Sequence, residues 1–313
     1  MLYRVKDSRI EDVSAGIYDC VFFASGYEER CTHVAKRLPP NITRKSVLLG
    51  FKEAARHPQR CENDRYFLSN WVENEVTLSS EDDGPVFGHL RDLQPANEGH
   101  LQIMVDYSSM SRVWYAAILN WARFATQFER IDIDLVYATG DHREPERPMV
   151  ITQMVSIPGC EGSPEASLKS VAVFGLGFEG QAALCVLDRL EPDEFYTYLA
   201  GPGSSERHRA RAKTENAELI RHANGTFELP LASVERTYSD LSEVIARHRS
   251  KANIVFIPMG PKPHVLAAIL LAIRFREVSC LRVSGKRDRP ARVGATGETV
   301  VTRVEFRGRD RED

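Results

Sequence analysis

The sequence predicts an α/β fold: two tandem domains from an internal duplication, each a mostly parallel sheet flanked by helices. Three observations lead there. The first is a repeated strand end, Phe22-Phe-Ala-Ser-Gly-Tyr-Glu28 and Val173-Phe-Gly-Leu-Gly-Phe-Glu179, which lays Gly26 on Gly177, Tyr27 on Phe178 and Glu28 on Glu179 at an offset of 151 positions. The second is a repeated helix in the same register, Val113-Trp-Tyr-Ala-Ala-Ile-Leu-Asn-Trp-Ala-Arg-Phe124 against His264-Val-Leu-Ala-Ala-Ile-Leu-Leu-Ala-Ile-Arg-Phe275. Two distant matches at one offset are hard to obtain by chance. The third is the alternation of strand-length and helix-length segments, which runs in the same order through both halves.

Each element follows from its residues. Tyr18 to Ala24 and Ser170 to Phe174 are short runs rich in Val and Phe that stop at or near glycine, and each precedes a helix-length segment. Those segments end alike, in Arg37-Leu38-Pro39-Pro40 and Arg189-Leu190-Glu191-Pro192, so strand, tight turn and helix is the expected unit. A second strand is expected at Ser46 to Phe51 and Glu194 to Ala200, followed by a polar helical stretch. A third apolar run, Leu101 to Asp106 and Asn253 to Pro258, turns into the shared Ala-Ala-Ile-Leu helix, and a last strand falls at Ile131 to Ala138 and Ser279 to Val283. Strands joined through helices imply right-handed crossovers and a parallel sheet covered on both faces, a Rossmann-like arrangement.

The two domains are expected at 1–157 and 168–313, with a linker at about 158–167 centred on Pro158-Gly-Cys-Glu-Gly-Ser-Pro-Glu-Ala166. After Gly285 the chain runs basic through Lys286-Arg287-Asp288-Arg289-Pro290 and offers one more strand at Thr299 to Phe306, expected as a hairpin or an edge strand.

Composition narrows the function. With 313 residues, 42% hydrophobic and 27% charged, the chain is neither collagen-like, disordered nor disulfide-stapled. Lys+Arg number 41 against Asp+Glu 44, so the field of the whole molecule does not draw in DNA or an anionic bilayer, and an anionic ligand has to be met by a local basic site. Six cysteines form no C-x-x-C pair and are expected as reduced structural thiols; nine histidines show no H-E-x-x-H spacing, so no metal and no cofactor is expected. Charges at Arg4, Lys6 and Asp7 stand where a signal peptide needs an apolar run, and the longest apolar run, Val265 to Ile273, suits a buried crossover helix. A cytoplasmic protein with no membrane partner is the expectation.

Ligands of open parallel sheets gather outside the carboxyl ends of the strands. Four loops fall there: Ser25-Gly-Tyr-Glu-Glu-Arg30 and Asp106-Tyr-Ser-Ser-Met-Ser-Arg112 in the first half, Gly175-Leu-Gly-Phe-Glu-Gly180 and Pro258-Met-Gly-Pro-Lys-Pro-His264 in the second. Gly26 and Gly177 would permit a close backbone approach or a positive φ, before a helix N-terminus that favours an anion; equally, they simply make a tight turn. Gly175, Gly177 and Gly180 keep dinucleotide-fingerprint spacing, but Ala200-Gly201 lacks the acidic residue that holds a ribose.

The Asp106 loop is the richest in polar groups. Asp106 suits a ribose contact or a base, Ser108 and Ser109 suit phosphate or a helix cap, and Arg112 suits a bidentate phosphate contact. Glu28 and Arg30 join it if the two strands are neighbours. Gly260 and Lys262 offer a flexible residue and a cation at a helix start, while Ile257 and Pro263 replace Asp106 and Arg112, so one copy is a candidate scaffold. The stretch Tyr198 to Lys213, with five basic or histidine side chains, reads either as a pocket entrance or as a solvated helix.

Asn253-Ile-Val-Phe-Ile-Pro-Met-Gly-Pro-Lys-Pro-His264, running into the Ala-rich helix, resembles the CARF group of Rossmann-like ligand-sensing domains, with Gly-Pro-Lys standing where that group carries Gly-Gly-Thr-Lys. Val171 to Leu190 looks like the first ligand-contacting element of the same group, and two such units in one chain are similar to the SAVED arrangement. The resemblance implies binding of a cyclic or linear oligonucleotide signal in prokaryotic antiviral defence, with Gly177, Gly260 and Lys262 as contacts. Three functions stand as expectations. One is a nucleotide-type ligand sensor or regulatory protein, with Gly26, Tyr27, Arg30, Ser108, Ser109 and Arg112 as further contacts. The second is an enzyme acting on a nucleotide or nucleoside through Glu28 and Asp106, and the third is an interaction scaffold. A protein effector partner and a homo-oligomer are left open.

Overall fold

The Val- and Phe-rich runs of both halves become the centres of two sheets. The computed structural model describes residues 2–72, 75–97, 99–142, 149–203, 205–286 and 293–308. Its elements, in chain order, begin with β1 (Leu2–Ser8), α1 (Ile10–Ser14), β2 (Cys20–Ser25), β3 (Ser46–Phe51), α2 (Pro58–Asn70), β4 (Glu75–Leu78), α3 (Gly84–Arg91), β5 (His100–Asp106), α4 (Arg112–Phe124) and β6 (Arg130–Asp141). There follow β7 (Val150–Ser156), β8 (Lys169–Gly175), α5 (Gly180–Leu190), β9 (Glu194–Ala200), α6 (Glu206–Glu215), α7 (Ala217–His222), β10 (Gly225–Leu229), α8 (Val234–His248), β11 (Ala252–Pro258), α9 (Lys262–Arg274), β12 (Val278–Lys286) and β13 (Gly294–Arg307).

The chain divides into two compact units, Met1–Asp141 with Arg292–Asp313, and His142–Ala291. The first holds a sheet of order β1-β13-β6-β5-β2-β3-β4, the second a sheet of order β10-β9-β8-β11-β12-β7. Pairing is parallel from β6 to β4 and from β10 to β12, and antiparallel at β13, β1 and β7. Both are thus mostly parallel mixed sheets flanked by helices.

The offset of 151 reappears in the register of the central strands. Phe22 lies opposite Val105, and Val173 lies opposite Phe256. The order β4-β3-β2-β5-β6 in one sheet is matched by β10-β9-β8-β11-β12 in the other. Each pair of inner strands leads into one of the repeated helices. On α9 every residue from Pro263 to Ile273 is buried, as expected for its long apolar run, and α4 buries Val113 to Asn120. Among the described residues no helix is long and apolar enough to cross a membrane.

Three expectations need correction. The C-terminal strand is neither a hairpin nor an edge: β13 lies between β1 and β6, with Val304 opposite both Val5 and Ile133. β13 therefore belongs with the first unit, and β7, from the expected first domain, pairs with β12 of the second. The division at 158–167 is displaced accordingly, because long-range antiparallel pairing, not proximity in sequence, decides which sheet takes a strand. Residues 287–290 of the basic segment lie outside the described residues.

The third correction concerns the segment after β2. It forms short 3-10 turns, Glu29–Thr32 and Ala35–Arg37, where the second unit has the α-helix α5. Cys31, Val34, Ala35 and Leu38 pack into one core cluster with Phe23 and Phe67, while Arg30 is also buried. A run that buries side chains at successive positions 30, 31 and 32 cannot keep a solvent-facing stripe, and Pro39-Pro40 stops the helix from extending.

Candidate functional site

In the first unit the chain leaves β2 towards β3 and β4 on one side and returns to β5 and β6 on the other. The strand order reverses between β2 and β5, and a crevice at their carboxyl ends is the usual ligand position of an open α/β sheet. The loops at that point are Gly26–Arg30 and Tyr107–Ser111.

They meet through side chains. Ser109 Oγ donates to Glu28 Oε2 over 3.1 Å, and Arg30 forks onto the same carboxylate, Nε to Oε2 at 2.9 Å and Nη2 to Oε1 at 3.3 Å. Arg30 Nη1 also donates to the Tyr137 hydroxyl at 2.8 Å and the Ala138 carbonyl at 3.0 Å. Only 3% of Arg30 is exposed. Desolvation works against its charge, but Glu28 and Tyr137 outweigh it, so the pKa of the guanidinium is raised. Arg30 therefore anchors Glu28 from inside rather than reaching outward to an anion.

Asp106 is similarly turned inward. Its Oδ1 accepts from the Ser108 amide at 3.0 Å and the Ser108 hydroxyl at 2.6 Å, and Ser108 Oγ accepts from the Ala138 amide at 2.8 Å. This ties the β5 loop to β6. The cap of α4 is Ser111 rather than Ser108 or Ser109: it accepts from the Val113 amide at 3.3 Å and donates to the Ser80 carbonyl at 2.6 Å. Arg112 is the first residue of α4 and is half-buried.

Behind the Gly26 loop, Ser25 donates to Asp64, and Arg60 bonds the Phe51 carbonyl and Glu75. Burial raises the Asp64 pKa, with Ser25 opposing and Glu75 reinforcing the rise. Cys31 donates to the Ala24 carbonyl at 2.9 Å and accepts from the Gly26 amide at 3.5 Å, and burial pushes its thiol up to about 12. Asn63, 3% exposed, donates to the carbonyls of Gly26 at 2.8 Å and Glu28 at 3.1 Å. Sequence reasoning missed Arg60, Asn63, Asp64 and Tyr137.

Gly26 has room for a methyl group and is closely flanked beyond it. A Cβ there would lie 3.5 Å from the Phe51 ring and 3.7 Å from Ser109 Cβ, ordinary contact distances. Tyr27 beside it is 39% exposed, and its ring centroid is 5.6 Å from that of His57.

The corresponding loops of the second unit are closed on themselves. A Cβ on Gly177 would meet the Met259 carbonyl at 2.6 Å, one on Gly260 the Leu176 carbonyl at 2.8 Å, and one on Gly175 the Tyr198 hydroxyl at 2.6 Å. A Cβ on Gly180 would collide with the Glu215 carbonyl. The fingerprint glycines thus admit the chain's own atoms where a dinucleotide site admits pyrophosphate. Neither Gly26 nor Gly177 has a positive φ, so close approach alone explains Gly177. Lys262 is the first residue of α9.

Around Phe178 the second unit gathers a ring cluster. The centroids of His142 and His208 each lie 5.7 Å from it, and the Arg211 guanidinium sits 4.2 Å above its ring. On the same helix, α6, Arg209 and Lys213 pair with Glu228 at 2.7 and 2.6 Å and pull its pKa down to about 2. Much of the basic stretch is thus engaged in ion pairs. Asn216 donates to the Gly177 carbonyl at 2.8 Å, as Asn63 does to Gly26.

Among the described residues no group of three or more His, Cys, Asp or Glu side chains could hold a metal ion. Comparison of the chain with protein-family models, with curated proteins and with solved structures finds no match in any of the three.

Proposed function

We propose that the chain is a sensor or regulatory protein that binds a nucleotide-type ligand at the β2/β5 crevice of its first unit. The carrying observation is the contrast between the two glycines: Gly26 stands in ordinary van der Waals space beside Tyr27, Glu28 and Ser109, whereas Gly177 is pressed against a carbonyl. A hydroxyl, a carboxylate and an aromatic ring side by side, with Arg112 opening the next helix, suit a ribose, a base and a phosphate. In this reading the units are duplicated Rossmann-like modules, and the second has become the scaffold.

Binding rather than catalysis is favoured by the state of the nucleophiles. Cys31 is held far above neutrality, Ser108 is bonded both as donor and as acceptor, and Ser25 is tied to Asp64. The likeness of Asn253 to His264 to the CARF group, carried to the first unit through the matching loop Asp106 to Arg112, extends the proposal to an oligonucleotide signal of prokaryotic antiviral defence, bound there and not at Gly177, Gly260 and Lys262. Calorimetric titration with mononucleotides and with linear and cyclic oligonucleotides tests it. Micromolar binding of at least one, weakened tenfold or more by Ser109→Ala or Arg112→Ala, is expected. No binding across the panel, or binding indifferent to both variants, overturns it.

A further inference from the structure

We propose that Tyr27 and His57 form a ring-stacking site for the planar base of the ligand, beside the polar cluster of the first unit. The proposal rests on the reading of that crevice as a nucleotide site and names the part of the ligand that it recognises.

Tyr27 is exposed on a loop that is not loose. Asn63 bonds the carbonyls on both sides of it, at Gly26 and Glu28, so the ring projects from a backbone fixed at both ends. His57, the N-cap residue just before α2, brings its imidazole to a centroid distance of 5.6 Å at an interplanar angle of 49°. Behind Gly26 lies the Phe51 ring, itself packed on Trp114 at 4.3 Å. Gly26 therefore stands beside both an aromatic ring, Phe51, and Ser109, whose hydroxyl bonds Glu28.

The second unit shows what this arrangement accommodates. Phe178 follows Gly177 as Tyr27 follows Gly26, its loop is held by Asn216, and a histidine from the helix after the second strand, His208, lies 5.7 Å away. There a flat cation occupies the ring, the Arg211 guanidinium at 4.2 Å. A planar, delocalised group on the loop aromatic is thus already present in this fold, supplied by the chain itself. On Tyr27 we assign that place to a nucleobase, whose π-face stacks without regard to sequence.

Titration with adenosine 5′-monophosphate and with ribose 5-phosphate tests the assignment. Tyr27→Ala and His57→Ala should each weaken adenosine 5′-monophosphate by tenfold or more and leave ribose 5-phosphate within twofold, and Tyr27→Phe should restore what Tyr27→Ala loses. If the wild-type chain binds neither probe, this proposal is overturned, and the reading of the crevice falls with it only when the linear and cyclic oligonucleotides also fail to bind. If the wild type binds the nucleotide and both alanine variants bind it equally well, the ring site alone is overturned. Equal weakening of both probes would mark a damaged loop and also overturns it.

Discussion

The side-chain amide of Asn63 donates to the carbonyl oxygen of Gly26 over 2.8 Å, and the same amide reaches the Glu28 carbonyl over 3.1 Å. One buried group thereby satisfies two loop carbonyls and fixes the residue between them. In the second unit Asn216, 1% exposed, donates to the Gly177 carbonyl and, with the same amide, to the Ala212 carbonyl of α6. Removing the Asn63 donor takes the side-chain bond from the Gly26 carbonyl, while the Glu28 carbonyl keeps the Cys31 amide at 3.1 Å; losing a buried bond of this kind costs about 1–3 kcal/mol. Asn63→Ala should lower stability by that amount in urea unfolding and speed amide exchange at residues 26–31, while Asn216→Ala should speed it at residues 176–180. Asn63→Asp should be worse than Asn63→Ala, because it sets a carboxylate against two carbonyls.

The two strand-end glycines should respond differently to the same substitution. Gly26→Ala places its methyl at contact distance from Phe51 and Ser109 and should change the melting temperature by no more than a few degrees. Gly177→Ala drives a methyl to 2.6 Å from the Met259 carbonyl, a backbone atom that cannot swing aside, and should cost about 1–3 kcal/mol or more. Thermal unfolding of the two variants makes the comparison; equal effects would contradict the difference in packing.

What the sequence revealed of the fold was local and repeated. Phe22 and Val173, placed in register by their neighbours, occupy matching positions opposite Val105 and Phe256 because the β2-β5-α4 and β8-β11-α9 units keep one spacing. Thr299 to Phe306 reads as a strand by its alternation, but nothing in it says that its partners are residues 2–8 and 130–141. The edge strands β1 and β7 escaped notice, since partly exposed strands with polar alternation lack an apolar run. Of the site, Glu28 and Ser109 were legible as loop residues on neighbouring strands. Asn63 and Asn216 were not: they lie on polar helical segments whose lengths differ between the halves, so the repeat gives them no common offset.

Arg30 gives a prediction about a buried ion pair. Its guanidinium satisfies Glu28, Tyr137 and Ala138 together, and losing it strands the Glu28 carboxylate, whose side chain is 19% exposed, with Ser109 as a remaining donor. Arg30→Met should destabilise the chain by about 3–5 kcal/mol. Arg30→Lys should recover little of this, because one ammonium cannot span a carboxylate, a hydroxyl and a carbonyl in the fork geometry of guanidinium. Chemical denaturation of the single variants and of Arg30→Met combined with Glu28→Gln checks it; the double variant should be more stable than Arg30→Met alone.

The cysteines should separate by reactivity. Cys20 and Cys31 are buried, with thiols pushed up to about 12 mainly by desolvation, whereas Cys185 is exposed on α5. At pH 8 an alkylating reagent should modify Cys185 first and leave Cys20 and Cys31 untouched until the chain unfolds. Mass spectrometry after brief alkylation, with and without denaturant, reads the order.

His264 should make the stability of the chain sensitive to mild acid. It is fully buried on α9, near Tyr198 at a centroid distance of 5.6 Å, and occupies the place that Val113 holds in the first unit. Burial lowers its pKa from 6.5 to about 4, with the Pro230 and Leu229 carbonyls opposing the shift. The unfolded chain therefore takes up the proton at higher pH than the folded chain. The contribution is intact above about pH 6.5, shrinks as the pH falls, and is fully lost below about pH 4, a loss of about 3 kcal/mol for this shift. His264→Val should remove that part of the slope, so that urea unfolding of wild type and variant diverges in pH dependence between pH 6.5 and 4 and runs parallel above it. Parallel curves through the whole range would mean that His264 charges in the folded chain as readily as in the unfolded one.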